Sequence, residues 1–141
     1  MTNQQIEHIS NYINASPQQV YQFASNPKNL PQWAAGLANS EVSKQGDNWL
    51  MQAPFGLVKV RFIETNPYGV LDHWVEFESG VQVYNPMRVI QHGAGSEFIF
   101  TLIRQSEMTD DAFEQDKQAV IADLTRLKTV LEASLLPIEL E

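Results

Sequence analysis

Near its C-terminal end the chain has apolar side chains at helical spacing. Thr109 is a good N-cap residue, and the carboxylates of Asp110 and Asp111 suit the positive end of a helix dipole. Pro137 ends the run. The pattern therefore predicts a long helix from Asp110 to Leu135 with one apolar face. That face comprises Phe113, Val120, Leu124, Leu127, Leu131 and Leu135.

The first third of the chain predicts one strand and two short helices. Residues 5–14 are expected to form a first strand, with Ile9 and Ile13 on one face. The pair Ser16-Pro17 is typical of a helix start, with Ser as the N-cap residue and Pro at the first helical position. We expect a second short helix around Leu30, Trp33 and Leu37.

The middle of the chain alternates between apolar and polar residues, interrupted by turn-forming sequences. With the first strand, this predicts an α+β fold in which a curved antiparallel sheet of about seven strands wraps around the long C-terminal helix. The remaining six strands are expected at Glu41–Lys44, Trp49–Ala53, Leu57–Thr65, Val70–Glu78, Val81–Gln91 and Glu97–Arg104.

The apolar pattern also predicts which side chains face inward, because a one-residue slip in register turns every side chain over. The hairpin formed by Leu57–Thr65 and Val70–Glu78 pairs Phe62 with His73. The last hairpin, with its turn around His92–Gly95, pairs Met87 with Phe100. The hairpin between them, with a loop at Ser79–Val81, pairs His73 with Met87. The inner face then contains Val58, Val60, Phe62, Leu71, His73, Val75, Phe77, Val83, Met87, Val89, Phe98, Phe100 and Leu102.

Length and composition are those of a globular protein. The 141 residues suit one domain over positions 1–141, with 43% apolar and 18% charged residues. The net charge of -8 makes nucleic acid and anionic membrane poor partners. No apolar stretch is long enough to span a bilayer, and no secretory signal is expected at the N-terminus. Because there are no cysteines, disulfides and thiolate chemistry are excluded, which fits a cytoplasmic location.

The start of the chain resembles a known superfamily. It reads Ser16-Pro17-Gln18-Gln19-Val20-Tyr21-Gln22-Phe23, followed by Pro27, Leu30, Pro31 and Trp33. This is similar to the opening of SRPBCC proteins, which include START lipid-transfer domains, helix-grip pollen allergens and polyketide cyclase/dehydrase-like proteins. The resemblance covers roughly residues 5 to 135. It implies a helix-grip fold with a cavity between sheet and helix, and no universal catalytic residue.

A physical argument leads to the same cavity. One straight helix cannot fill the concavity of a strongly bent sheet, so large side chains, water or a ligand must occupy the remaining space. Many inner residues are large, which predicts a modest cavity. The expected ligand-binding residues are Trp33, Phe62, His73, Val75, Phe77, Asn85, Met87, Phe98, Phe100 and Leu124.

His73 is the main candidate for chemistry, because it lies on an otherwise apolar face where a polar group needs a partner. It could bind a ligand or act as an acid or base. The favoured interpretation is a core histidine whose hydrogen bonds are supplied by Asn85 or a backbone group.

Other candidate groups have two interpretations each. Arg61 and Arg88 could bind an anion, but surface pairing with Asp72 and neighbouring acidic residues is favoured. Trp33 is expected either to gate the pocket or to anchor the second helix to the sheet. The three histidines lack metal-ligand spacing, and no cofactor or metal is expected.

Three functions remain open from the sequence. The first is binding of a small hydrophobic molecule, as a carrier or sensor. The second is a cyclase- or dehydratase-like enzyme using His73, assisted by Asn85 or Tyr84. The third is protein docking through apolar residues on the outer face, namely Tyr84, Ile90, Ile99 and Ile103. These residues are more simply interpreted as scattered surface positions, so a monomer or weak homodimer is expected.

Overall fold

The computed structural model describes residues 5–38 and 40–134. In this part of the chain the strands are β1 Ile6–Ile13, β2 Val42–Gln45, β3 Asn48–Ala53, β4 Gly56–Phe62, β5 His73–Phe77, β6 Gln82–Asn85, β7 Met87–His92 and β8 Gly95–Ile103. The α-helices are α1 Pro17–Ala24, α2 Leu30–Trp33 and α3 Asp110–Ser134. Single 3₁₀ turns lie on either side of α2, at Pro27–Asn29 and Ala35–Leu37.

The strands form two antiparallel groups that meet at one seam. One group has the order β1-β8-β7 and the other β2-β3-β4-β5-β6. The residues before β5 join them, because the Leu71 N–H donates to the Met87 carbonyl at 2.9 Å and the Val89 N–H to the Gly69 carbonyl at 3.0 Å. The predicted α+β helix-grip architecture is confirmed, with eight strands among the described residues instead of about seven.

The long helix begins where the sequence predicts. The Thr109 hydroxyl accepts a hydrogen bond from the Ala112 N–H at 3.1 Å, as an N-cap side chain does. The predicted apolar face is buried against the sheet at Phe113, Leu124, Leu127 and Leu131. The predicted end of the helix at Leu135 and Pro137 lies outside the described residues.

The first helix is held by a reciprocal pair of hydrogen bonds. The Gln19 N–H donates to the Ser16 hydroxyl at 3.2 Å, and the Ser16 N–H donates to the Gln19 side-chain oxygen at 3.1 Å. This capping box, with Pro17 at the first helical position, confirms the predicted start of α1. Val20 and Ala24 are then fully buried in the core.

One predicted strand, Val81–Gln91, is two strands in the structure. Pro86 separates β6 from β7 because it has no N–H to donate to a neighbouring strand. The Asp72 carboxylate supplies an acceptor beside the break and bonds the Met87 N–H at 3.1 Å. The prediction of one continuous strand was wrong.

The predicted register of the middle hairpin was also wrong, by two residues. His73 lies opposite Asn85 rather than Met87, and Val75 lies opposite Val83 rather than Asn85. The loop is 78–80, closed by the Phe77 N–H donating to the Val81 carbonyl at 3.0 Å. Gly80 has φ 91°, a conformation that favours glycine at the end of such a loop.

A shift of two residues leaves every side chain on its predicted face. All thirteen predicted inner-face residues are buried or half-buried, and eleven of them, all but His73 and Val83, pack with the apolar side chains of α3 in one cluster. The pairings of Phe62 with His73 and of Met87 with Phe100 are as predicted. None of the described helices is long and apolar enough to cross a lipid bilayer.

Candidate ligand cavity

A recessed cavity of about 170 Å³ lies between the inner face of the sheet and α3. The α2 helix and the 3₁₀ turn after it form the third wall. Eight of the twelve lining residues carry aliphatic or aromatic hydrocarbon side chains, so the cavity is mostly apolar. Its lining is Leu30, Trp33, Ala34, Leu37, Val60, His73, Val75, Asn85, Phe100, Val120, Asp123 and Leu124.

The structure brings six of the ten predicted ligand-binding residues together in this lining. They are Trp33, His73, Val75, Asn85, Phe100 and Leu124. Phe98 and Met87 are instead buried in the core, and Phe77 packs beside Phe55 with ring centroids 6.0 Å apart. Phe62 stacks on the His73 ring at 4.8 Å and lines a different, open cleft.

Sequence reasoning did not assign the other six lining residues to the site. Leu30 and Leu37 were expected in the second helix, Val60 on the inner face and Val120 on the apolar side of α3. Asp123 had a usable signal, because it follows Val120 by three residues and precedes Leu127 by four, so it lies on the same side of the helix.

His73 is buried, with 6% of its surface exposed, and both ring nitrogens face protein groups. Nδ1 lies 3.2 Å from the Leu71 carbonyl oxygen, and Nε2 lies 3.4 Å from Nδ2 of Asn85. Burial lowers the pKa of His73 from 6.5 to about 4, although the Leu71 carbonyl and the Asp72 charge act in the opposite direction. The ring is therefore neutral at pH 7, and the two alternative partners expected for a core histidine, Asn85 and a backbone group, both lie beside it.

Asp123 joins α3 to the wall formed by α2. Its Oδ1 accepts a hydrogen bond from the Ala35 N–H at 3.1 Å, and an Arg126 nitrogen lies 3.7 Å away. Burial raises the pKa of Asp123, against the opposing effects of the Ala35 hydrogen bond and the Arg126 charge. The cavity thus has a carboxyl group at its edge.

Trp33 acts as a core anchor and a cavity wall at once. It is 3% exposed, and its ring meets Phe98 edge-on with centroids 6.2 Å apart. The indole N–H is buried and has no hydrogen-bond partner among the described residues. These contacts fix α2 against β8.

A larger cleft, of about 750 Å³, opens at the surface between α1 and the ends of β3 and β4. It is lined mostly by polar and charged groups, and its cations are already engaged with aromatic rings. The Arg61 guanidinium lies 4.5 Å from the Trp74 ring centroid, and the Lys44 ammonium lies 5.7 Å from that of Trp49. Its polar and charged lining makes this cleft a weaker candidate for an apolar ligand than the cavity beside α3.

Contacts on the outer face of the sheet contradict two predictions, the pairing of Asp72 with an arginine and the assistance of His73 by Tyr84. Asp72 accepts a hydrogen bond from the Tyr84 hydroxyl at 2.6 Å and has no ion pair with Arg61 or Arg88 in the described part of the chain. This hydrogen bond raises the pKa of Tyr84. Because Tyr84 stacks on Trp74 outside the sheet, it cannot assist His73 in the cavity.

No group of three His, Asp or Glu side chains within residues 5–38 and 40–134 is placed to hold a metal ion. His92 pairs with Glu97 at 2.9 Å, and His8 lies 2.9 Å from the Thr101 hydroxyl. Both contacts are on the surface, away from His73.

Solved structures share this fold at low sequence identity. The protein MLL2253 from Mesorhizobium loti is 11% identical, with a TM-score of 0.73 over 94% of this chain and 100% of its own. Aha1 from Colwellia psychrerythraea, solved as a dimer, is 17% identical, with a TM-score of 0.72 over 94% and 99%. XoxI from Bacillus cereus is 15% identical, with a TM-score of 0.69 over 94% and 99%. Identities this low establish the fold alone.

The family assignment comes from the sequence itself. No curated protein matches the chain. The model of the family described as polyketide cyclase/dehydrase and lipid transport matches residues 13–125, from the end of β1 into α3. That span includes every residue that lines the cavity. The chain therefore belongs to the polyketide cyclase/dehydrase and lipid transport family, within the SRPBCC superfamily that its first third resembles.

Proposed function

We propose that residues 1–141 act as a single domain that binds a small, uncharged hydrophobic molecule in the cavity between the sheet and α3. The observation that carries the proposal is a mostly apolar cavity of about 170 Å³. A comparable engineered apolar cavity of about 150 Å³ binds benzene. The ligand is then the size of a single ring.

The charges around the cavity favour an uncharged ligand. His73 is neutral at pH 7, and the lining contains no Lys or Arg. Asp123 would repel a carboxylate or phosphate placed beside it. A ligand with an anionic head group would have to leave that group outside the cavity.

Binding accounts for His73 better than catalysis does. A general acid or base works best with a pKa near the operating pH, whereas the pKa of His73 is about 4. Both ring nitrogens also face protein groups rather than the cavity alone. The imidazole therefore serves as part of the wall.

We propose a monomer, or at most a weak homodimer, in the cytoplasm. Of the four apolar residues predicted on the outer face, Ile99 and Ile103 are half-buried. The Tyr84 hydroxyl is bonded to Asp72, and of the four residues only Tyr84 and Ile90 are exposed, on different strands. The outer face of the sheet therefore offers little continuous apolar area for a stable interface. The lack of cysteine is compatible with a reducing compartment.

The test is a titration with toluene, followed by ¹H–¹⁵N NMR. Saturable shifts are expected at the Trp33 indole N–H and at the amides of Val60 and Val120. A Val75→Phe variant fills the cavity and should abolish these shifts. The matched control is Val83→Phe, because Val83 is the cross-strand partner of Val75 on the same face but does not line the cavity.

Circular dichroism must show that both variants are folded before their titrations are compared. Equal binding of toluene by the two variants would place the ligand elsewhere and overturn the proposal. Absence of any saturable shift in the wild-type protein would overturn it as well.

A further inference from the structure

The hydrogen bonds of His73 determine its tautomer. A carbonyl oxygen only accepts hydrogen bonds, so Nδ1 must carry the proton that it donates to Leu71 at 3.2 Å. A neutral imidazole has one N–H, which leaves Nε2 as an acceptor. The Leu71 carbonyl thereby determines that Nε2 can form a hydrogen bond only with a donor.

The tautomer in turn orients the side-chain amide of Asn85. Nδ2 of Asn85 lies 3.4 Å from Nε2 and donates to it. The flipped amide would put an oxygen lone pair against the lone pair of Nε2, which is repulsive. One chain of contacts, from the Leu71 carbonyl through His73 to Asn85, therefore turns Oδ1 of Asn85 away from the imidazole.

That oxygen accepts no hydrogen bond from any described residue, whereas Asn85 itself lines the cavity and is half-buried. The other sheet residues of the lining, apart from His73, are apolar: Val60, Val75 and Phe100. None of these can donate to the oxygen. This oxygen is not among the fully buried side-chain atoms that lack a partner, so part of its surface stays open to accept a hydrogen bond from a molecule in the cavity.

We infer that Oδ1 of Asn85 is the acceptor that makes the cavity prefer ligands with an O–H or N–H donor over ligands of the same shape without one. The ligand class is then a single ring carrying a hydroxyl or amino group, such as a phenol. Asp123 adds a second acceptor at the edge of the same cavity. This inference rests on the proposed function and refines it.

The test compares phenol with toluene, which differ by a hydroxyl in place of a methyl group. Dissociation constants are measured by calorimetry for the wild type and for Asn85→Leu, which replaces the amide by an apolar group of similar size. The ratio of the toluene to the phenol constant should fall by roughly five- to tenfold in Asn85→Leu. The matched control, Gln82→Leu on the outer face of the same strand, should leave the ratio unchanged.

A second measurement needs no variant, because Asn85→Leu removes the donor to His73 and could impair folding. In the wild-type protein with ¹³C-labelled asparagine, phenol should move the carbonyl resonance of the Asn85 side chain downfield. Toluene, which has no donor, should leave that resonance almost unmoved.

The outcomes separate the two ideas. Binding of both compounds with a ratio that Asn85→Leu does not alter, or with equal carbonyl shifts, would overturn the role of Asn85 and leave the proposed function standing. Failure of the wild type to bind either compound would overturn the proposed function and this inference together.

Discussion

The imidazole of His73 loses its water on folding, and the groups around it favour the neutral ring. Phe62 stacks on one face, and the two ring nitrogens meet a carbonyl oxygen and an amide N–H. Protonating Nε2 would turn the acceptor into a donor facing the Asn85 amide nitrogen. Protonation of His73 is therefore less favourable in the folded protein than in the unfolded chain.

The unfolding free energy should consequently fall as the pH drops from about 6.5 toward 4. In this window the unfolded chain binds a proton at His73, whose ordinary pKa is 6.5, while the folded chain, with a pKa of about 4, does not. The gap between the two pKa values corresponds to about 3 kcal/mol, lost in full below pH 4. Urea denaturation at a series of pH values measures the decline.

The His73→Gln variant is the control for this pH dependence, because it lacks the titrating ring but keeps a donor for Leu71. Carboxylates contribute to both proteins, including Asp123, whose pKa burial raises, and Glu97, whose pKa the His92 hydrogen bond lowers. The difference between the two curves isolates His73. Parallel curves from pH 7 to 4 would refute a neutral, buried His73.

His73, Asn85 and Asp123 show which parts of this site can be predicted from the sequence and which cannot. Strand alternation was sufficient to place His73 on the inner face, because side-chain direction in a strand has a period of two. Asn85 was named as one possible hydrogen-bond partner of His73, but the predicted register placed it opposite Val75 instead of His73. Asp123 was missed because a carboxylate is expected in solvent, although its helical spacing from Val120 and Leu127 places it on the apolar side of α3, where it accepts a hydrogen bond from the Ala35 N–H.

At the scale of elements, α1 depends on hydrogen bonds at its first turn. It has eight residues, too few to be stable alone in water. The capping box between Ser16 and Gln19 satisfies N–H groups that the helix itself cannot. The helix then buries Val20 and positions Tyr21, whose hydroxyl accepts a hydrogen bond from the Asn66 N–H at 3.0 Å.

A Ser16→Ala variant should lower the unfolding free energy by about 1 kcal/mol, because it removes the acceptor for the Gln19 N–H. Chemical denaturation measures the loss. Gln18→Ala is the matched control, since Gln18 is exposed on the same turn and should change stability by less than about 0.5 kcal/mol. Equal losses in the two variants would show that the cap does not stabilise the fold.

The hairpin between β5 and β6 shows why the strand register was harder to predict than the face of the sheet on which each side chain lies. The apolar pattern has a period of two, so a register of His73 with Met87 and a register of His73 with Asn85 bury the same side chains. The choice between them depends on the loop, where Gly80 takes a positive φ. The pattern of apolar residues contains no information on that choice.

At the scale of the whole molecule, the cavity exists because a straight helix crosses a curved sheet. The α3 helix has 25 residues, about 37 Å at 1.5 Å per residue, and its buried face contacts the core along this length. Where the helix lies close to the sheet, side chains such as Leu127 pack solidly. The side chain of Leu124 is equally buried but also lines the cavity, together with Val120 and Asp123 of the same helix.

Two equivalent substitutions on α3 should therefore have equal effects on stability and different effects on binding. Leu124 and Leu127 are 1% and 0% exposed, so Leu124→Ala and Leu127→Ala should each lower the unfolding free energy by about 2–5 kcal/mol. Only Leu124 lines the cavity, so only Leu124→Ala should enlarge it and admit a two-ring compound such as indole. Denaturant unfolding measures the first effect, and NMR titration with indole measures the second. If Leu127→Ala gained indole binding and Leu124→Ala did not, the ligand space would lie elsewhere along α3.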